Sequence, residues 1–330
     1  MNSDRKTVTM LDVAREAGVA LGTVSKVINH QPVGEKYRKK VQDAAQRLGY
    51  QYNATGKALR TNRTDMIAVI IPNTVNPYFA LLVHYLNLEL EKRNNKMLLC
   101  FTEYDRSREN EFIEMAQLNR VDGIIALTYN PKLSIPEGIP FVTIDRFFSS
   151  SVPCVASDNF GGGVLAAKKL QELGCRKIAM LFTGSPLTSE PSKRKDGFAS
   201  CSIEMGMPFE VKVVPPDHPI EDYGAFLREH FREGRLEFDG LFVGTDQQAW
   251  EVIQILKEMG VRVPEDVQVI GFDGIEMFGN HGYIVSTIVQ PVREIAEVCA
   301  QMVLSDGISR QPSLVCLPVR YAYGGTTRDA

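Results

Sequence analysis

At 330 residues and 44% hydrophobic, the chain has material for more than one core, and two or three folding units are expected. No stretch approaches the roughly 20 apolar residues of a membrane span, and the opening MNSDRKTVTM holds no apolar run of signal-peptide type, so a cytoplasmic protein with no membrane partner is expected. The net charge of −3 hides a division: residues 1–63 hold 12 Lys and Arg against 5 Asp and Glu, a net of +7, leaving the rest with 25 against 35, a net of −10. A basic head on an acidic body suits a polyanion bound by the head alone, although a merely solvated basic helix gives the same count.

The head reads as three short helices. Thr9-Met10-Leu11-Asp12 has the spacing of a capping box, in which the threonine hydroxyl accepts from the backbone near Asp12. The helix it opens runs through Ala17, and Gly18, free to turn left-handed, ends it. A second helix from Leu21 places Val24, Val27 and Ile28 on one face, leaving Leu21, Gly22, Ser25 and Lys26 outward. A third, about Glu35 to Leu48, turns Val41, Ala44, Ala45 and Leu48 inward, keeps most of its lysines and arginines outside, and stops at Gly49.

From Met66 the pattern changes to apolar runs rich in β-branched residues: Ile67 to Ile71, Met97 to Phe101, Gly123 to Leu127, Phe141 to Ile144, Ile178 to Phe182, Gly240 to Val243 and Val267 to Phe272. Helical stretches such as Phe79 to Arg93, Phe160 to Leu173 and Gln247 to Met259 lie between them. This alternation predicts parallel sheets covered by helices, with ligands at the carboxyl ends of the strands. Polar groups stand at those ends: Asn76, with Tyr78 and Phe79, after the first run, Asp145 after the fourth, Thr245-Asp246 after the sixth, and Asp273 after the seventh. Arg194 opens a helix that follows Ile178 to Phe182. Carboxylate, amide and guanidinium groups suit adjacent hydroxyls, and aromatic faces suit C–H surfaces, which is the chemistry of sugar binding. Strand-end caps and interdomain ion pairs would use the same residue types.

Enzymatic readings find less support. Gly161-Gly162-Gly163-Val164-Leu165-Ala166 fits a dinucleotide pattern, but the next strand ends in Phe182-Thr183-Gly184, with no acid for a ribose. Ser192 to Lys195 and Ser157-Asp158-Asn159 fit two elements of penicillin-binding enzymes in reversed order, without the third. The six cysteines and five histidines are scattered, with no metal spacing; the cysteines are expected as reduced packing residues, and neither metal nor cofactor is expected.

The wording of Leu11 to Val19 and of Thr23-Val24-Ser25-Lys26-Val27-Ile28-Asn29 closely resembles the LacI/GalR repressor family. Leu48-Gly49-Tyr50, Ala58-Leu59-Arg60-Thr61, Val121-Asp122-Gly123, Ser157-Asp158-Asn159, Val263-Pro264-Glu265 and Ile270-Gly271-Phe272-Asp273 continue the resemblance through the chain. It implies an all-α helix-turn-helix headpiece on an α/β, two-lobed core like a periplasmic binding protein, with parallel sheets. The divisions would be 1–50 for the head, 51–65 for a hinge helix and 66–330 for the core, with one lobe about 66–158 and 291–319 and the other about 159–290 and 320–330.

By the same resemblance, the helix opening at Leu21 enters the major groove of double-stranded operator DNA, with Leu21, Gly22 and Lys26 toward base edges. Thr9, Thr23, Ser25, Asn29 and Tyr37 complete the head's contacting set, and Asn53, Gly56 and Arg60 flank Leu59, which would wedge between base pairs of the minor groove. A plain linker is the other reading of that segment. The chain departs from the family's usual residues at Ala20, Gly22, Lys26, Gly34 and Tyr52; a glycine cannot read a base, and Lys lacks the planar fork of Arg. The helix after Pro77, Leu81 to Leu90, is apolar almost all round, so a face of it is expected to be shared in a homodimer joined through the N-terminal lobe. The resemblance further implies no enzyme activity and an effector in a cleft lined by Asn76, Tyr78, Phe79, Asp145, Arg194, Thr245 and Asp273. A sugar is the expected effector. A purine or a phosphorylated carrier protein stays open, as does a sugar-binding or enzymatic protein with an incidental helical head.

Overall fold

The computed structural model describes residues 8–28, 31–50, 63–128, 130, 133, 135–146, 152–184, 189–277, 279, 281–305 and 313–328. The chain divides into two compact units, Met1–Thr64 and Asp65–Ala330.

In the first unit, α1 (Met10–Ala17), α2 (Leu21–Ile28) and α3 (Glu35–Leu48) close on a small core of Val13, Ala14, Ala17, Val24, Val27, Val41 and Ala44. The capping box forms: Asp12 N donates to Thr9 Oγ1 at 3.3 Å and Thr9 N donates to Asp12 Oδ2 at 2.9 Å. Gly18 and Gly49 end α1 and α3 at φ of 62° and 63°, a left-handed conformation open to glycine at little cost. Ala45 and Leu48, expected inside, are half-buried against this core. Arg47 on α3 pairs with Glu16 on α1 at 3.1 Å.

The second unit contains two six-stranded sheets. The first is built from β1 (Met66–Ile71), β2 (Lys96–Phe101), β3 (Gly123–Leu127), β4 (Phe141–Ile144), β5 (Cys154–Ser157) and β13 (Leu314–Leu317), in the order β13-β5-β4-β3-β1-β2, all parallel. One face is covered by α4 (Pro77–Lys92) and α10 (Val292–Leu304), the other by α5 (Arg106–Leu118). Alternation along β1 sends Ile67, Val69 and Ile71 to the α4–α10 side and Ala68 and Ile70 to the other. Burial on both faces is why β1, β3 and β4 read as unbroken apolar runs.

The second sheet contains β6 (Ile178–Thr183), β7 (Phe209–Val214), β10 (Gly240–Val243), β11 (Gln268–Asp273), β12 (Thr287–Val289) and β14 (Arg320–Ala322), in the order β14-β12-β11-β10-β6-β7. Only β14 runs antiparallel within it. Helices α6 (Asn159–Glu172) and α7 (Lys193–Glu204) cover one face, and α8 (Pro219–Glu229) and α9 (Asp246–Glu258) cover the other. A short hairpin, β8 (Phe231–Arg232) and β9 (Arg235–Leu236), stands apart from both sheets.

The backbone passes between the lobes three times: after Ser157, after Val289 and after Leu317. The glycine run at 161–163 serves packing. A Cβ on Gly163 would stand 2.0 Å from the Arg194 carbonyl oxygen of α7, and one on Gly162 would stand 2.7 Å from the Phe272 ring. Five cysteines are buried, but Cys316, expected as a packing residue, is exposed on β13, an edge strand among the described residues; all six are free thiols.

Candidate functional site

Two regions carry the candidate residues, one in each unit. In the head, α2 buries Val24 and Val27 and turns Leu21, Gly22 and Lys26 outward; Leu21 is 47% exposed, and nothing lies within 4 Å of a Cβ built on Gly22. Thr23 and Ser25 are half-buried beside them. Tyr37 on α3 is exposed, as are Lys36, Arg38, Lys39 and Lys40. The Thr9 hydroxyl is occupied in the capping box, donating to Asp12 Oδ2 at 2.7 Å. Asn29, Asn53, Gly56, Leu59 and Arg60 lie outside the described residues. A short helix presenting an open backbone, an exposed leucine and a lysine, beside a helix of exposed cations, can enter a groove lined by phosphates.

In the second unit, the strand ends converge on a buried polar cluster. Asp145 follows β4 directly, at a φ of +57°. Asp273 ends β11, at a φ of +133°, and Arg194 lies in the first turn of α7. Each is 5% exposed. The Arg194 guanidinium is held on three sides: Nε donates to Asn159 Oδ1 at 2.7 Å, Nη1 donates to the Gly244 carbonyl at 2.7 Å, and its carbon lies 3.6 Å from the centre of the Phe272 ring. Asp273 Oδ1 accepts from Gln290 Nε2 at 2.7 Å, and Gln290 Oε1 accepts from the Ser157 hydroxyl at 2.7 Å. Gln290 therefore links two of the chain crossings to a strand-end carboxylate.

Asp246, fully buried at the start of α9, accepts from the amides of Gly274 and Ile275 at 2.8 and 2.7 Å and so fixes the turn that follows Asp273. Asp145 Oδ1, Asp246 Oδ1 and Asp273 Oδ2 are buried with no hydrogen-bond partner among the described residues. Burial pushes the Asp145 carboxyl up to about 6, against the pull of Arg194. It raises Asp246 and Asp273 as well; in Asp273, Arg194 opposes burial and the Asp246 charge adds to it. Buried acceptors with unfilled lone pairs beside a fixed guanidinium form a surface for hydroxyl donors.

The structure thus brings Asp145, Arg194 and Asp273 together. Asn76 and Thr245 stand at strand ends as helix caps: Asn76 Oδ1 accepts from Tyr78 N at 2.9 Å and Thr245 Oγ1 from Gln248 N at 3.2 Å. Tyr78 and Phe79 pack edge-on into the core beneath α4, 4% and 5% exposed. Sequence reasoning placed Asp246 beside Thr245 at a strand end without giving it a role, and it did not single out Asn159 or Gln290 as site residues. Gln290 carried a usable signal, a polar residue immediately beyond a buried strand; the seat that Phe272 gives Arg194 carried none.

Residues 9–53 match the family described as bacterial regulatory proteins, lacI family, and residues 167–327 match the periplasmic binding protein-like domain. The chain is 31% identical to the sucrose operon repressor of Pediococcus pentosaceus over 96% of its own length and 98% of the relative's. It is 31% identical to the ribose operon repressor of Escherichia coli K12, over 90% and 92%. Among solved structures, the lac repressor dimer bound to operator and the anti-inducer ONPF superposes with a TM-score of 0.77 at 22% identity, covering 98% of this chain and 99% of that one. The complex of the transcriptional regulator CelR with cellobiose gives 0.68 at 25% identity, covering 97% and 99%. With a helix-turn-helix head, a two-lobed α/β core and relatives matched over nearly their whole length, the chain belongs to the lacI family of bacterial regulatory proteins.

Proposed function

We propose that the chain is a homodimeric repressor that reads a near-palindromic operator through its head, residues 1–50, and a hinge at 51–65, and whose operator affinity is set by a saccharide in the core, residues 66–330. The observation that carries the effector half is the set of buried carboxylate oxygens without donors around Arg194. Relatives named sucrose and ribose operon repressors, and a structural neighbour holding cellobiose, support a sugar. The exposed groove-facing side of α2 and the +7 charge of residues 1–63 support DNA as the head's partner. Leu81 and Leu88, 39% and 37% exposed on α4 beside the buried Leu82, Leu86 and Leu90, support the N-terminal lobe as the dimer face.

Asp145 belongs to the first lobe, and Arg194 and Asp273 belong to the second. A ligand gripped by both favours one relative arrangement of the lobes. That arrangement alters how two cores meet in a dimer and hence the spacing at which two heads are offered to DNA. Coupling of this kind is typically about 1–3 kcal/mol, or roughly 5- to 150-fold in affinity. The test is a titration of the full chain with a selected operator duplex and a sugar panel. Removing residues 1–63 should abolish operator binding and leave sugar binding. Arg194→Ala should leave operator binding near normal and abolish the sugar response. Operator binding that survives the truncation rejects the head assignment, and an Arg194→Ala variant that still switches at the wild-type sugar concentration rejects the cleft.

A further inference from the structure

The charges at the strand ends do not balance. Asp145, Glu190, Asp246 and Asp273 are each 6% exposed or less. Glu190 is matched by Lys193, whose ammonium lies 2.8 Å from both of its oxygens. Among the described residues the other three carboxyls share Arg194 as their buried cation, and that guanidinium already gives Nε and Nη1 to Asn159 and Gly244. Arg146, next to Asp145, is half-buried and has a partner of its own. The surplus here is of acceptors and negative charge, and what the unfilled oxygens Asp145 Oδ1 and Asp273 Oδ2 lack is donors.

A saccharide hydroxyl is a neutral donor that fits such an oxygen. A phosphate monoester brings about −1.5 to −2 charges and only acceptor oxygens, and beside buried carboxylates its repulsion is weakly screened. We propose, resting on the saccharide reading above, that this site takes an uncharged saccharide and rejects its phosphorylated form, with Asp145 and Asp273 as the specificity-determining residues. Arg194 then opposes the rise that burial imposes on the Asp145 and Asp273 carboxyls and donates to a ring or hydroxyl oxygen, and a phosphate is not among its partners.

The experiment is calorimetric titration of the full chain with matched pairs: sucrose and sucrose 6-phosphate, ribose and ribose 5-phosphate, glucose and glucose 6-phosphate. At least one parent sugar should bind, with its phosphate ester roughly 30-fold weaker or worse. Asp145→Asn and Asp273→Asn should each weaken the parent sugar by about tenfold, since one of two carboxyl oxygens is replaced by an amide NH2 that cannot accept. Inorganic phosphate, added alone, should not raise the melting temperature through Arg194. A phosphate ester that binds as tightly as its parent overturns the inference, as does stabilisation by inorganic phosphate that is present in the wild type and lost in Arg194→Ala. If no sugar of either kind binds while operator binding persists, the inference falls and the regulator reading stands. If operator binding fails as well, the reading beneath it fails too.

Discussion

Gly163 offers a direct test of how the fold seats Arg194. An alanine Cβ there would lie 2.0 Å from the Arg194 carbonyl oxygen and 2.7 Å from the Phe198 nitrogen. Both are main-chain atoms of α7, so neither can swing aside as a long side chain would. Ordinary contact requires α6 and α7 to part by about 1 Å. The crossing is tight from the other side too, because a Cβ on Gly197 would meet the Phe160 carbonyl at 2.0 Å. Parting the helices loosens Ala166, Ala167, Leu170 and Phe198 and stretches the two 2.7 Å bonds that fix the guanidinium. Overpacking typically costs about 1–3 kcal/mol, and with backbone meeting backbone we expect the upper end of that range for Gly163→Ala. That is a large part of a stability of about 5–15 kcal/mol. Urea unfolding gives the loss as a fall in midpoint at constant slope, and sugar titration of the same sample gives the displacement of Arg194 as weaker binding. A loss under about 0.5 kcal/mol together with unchanged sugar affinity would refute the argument that this glycine sets the position of Arg194.

Asp145→Asn should trade function for stability: burial lifts the carboxyl from 3.8 to about 6, so its stabilising contribution is complete below 3.8 and lost as the pH rises through about 6. The variant should therefore gain up to about 3 kcal/mol over wild type at pH 7 and little at pH 4, in melting curves run across that range; an equal difference at both pH values would count against it. Gly22→Ala should stabilise the head by up to about 1 kcal/mol, because the position is helical with open space around it, and a fall in the head's melting temperature would contradict this. Gln290→Leu should cost about 2–4 kcal/mol in chemical denaturation, since it leaves the buried Ser157 hydroxyl and Asp273 Oδ1 without their partner; a loss under about 1 kcal/mol would show that Gln290 is dispensable there.

Apart from the edge strand β2, the strands legible in the sequence lie inside their sheets. β3 and β4 begin and end where their apolar runs do, because every residue in them is buried. β7 was missed: Phe-Glu-Val-Lys-Val-Val is an edge strand, and only Val214 is buried, so its glutamate and lysine break the run. β12 and β14 have three residues each, too few to show a period; β13 is an edge strand with no buried residue, and β5, Cys-Val-Ala-Ser, has one β-branched residue. In the site, the acids beyond β4 and β11 stood out because an ionisable residue after an apolar run has few structural reasons to be there. Asn159 did not, since nothing in Ser157-Asp158-Asn159 reveals that α7 will carry Arg194 to within 2.7 Å of it. That contact depends on the close crossing of α6 and α7, a tertiary fact.

The three passages of the chain between lobes order events during synthesis. The head needs nothing beyond residue 50 to close its core, whereas the first sheet lacks its edge until β13 is made and the second until β14 is made. At about 5–20 residues per second, a ribosome takes tens of seconds to travel from one point to the other. Throughout that time the nascent chain carries a finished basic head, and once β5 and later β12 have been made each presents an unpaired edge, the kind of surface that recruits other strands. The same closing segment goes on to tie Thr326, Thr327 and Arg328 to Val269, Ser286 and Gln268. A product truncated before residue 314 would therefore keep the apparatus for reading DNA while losing both the means of sensing a ligand and protection against aggregation.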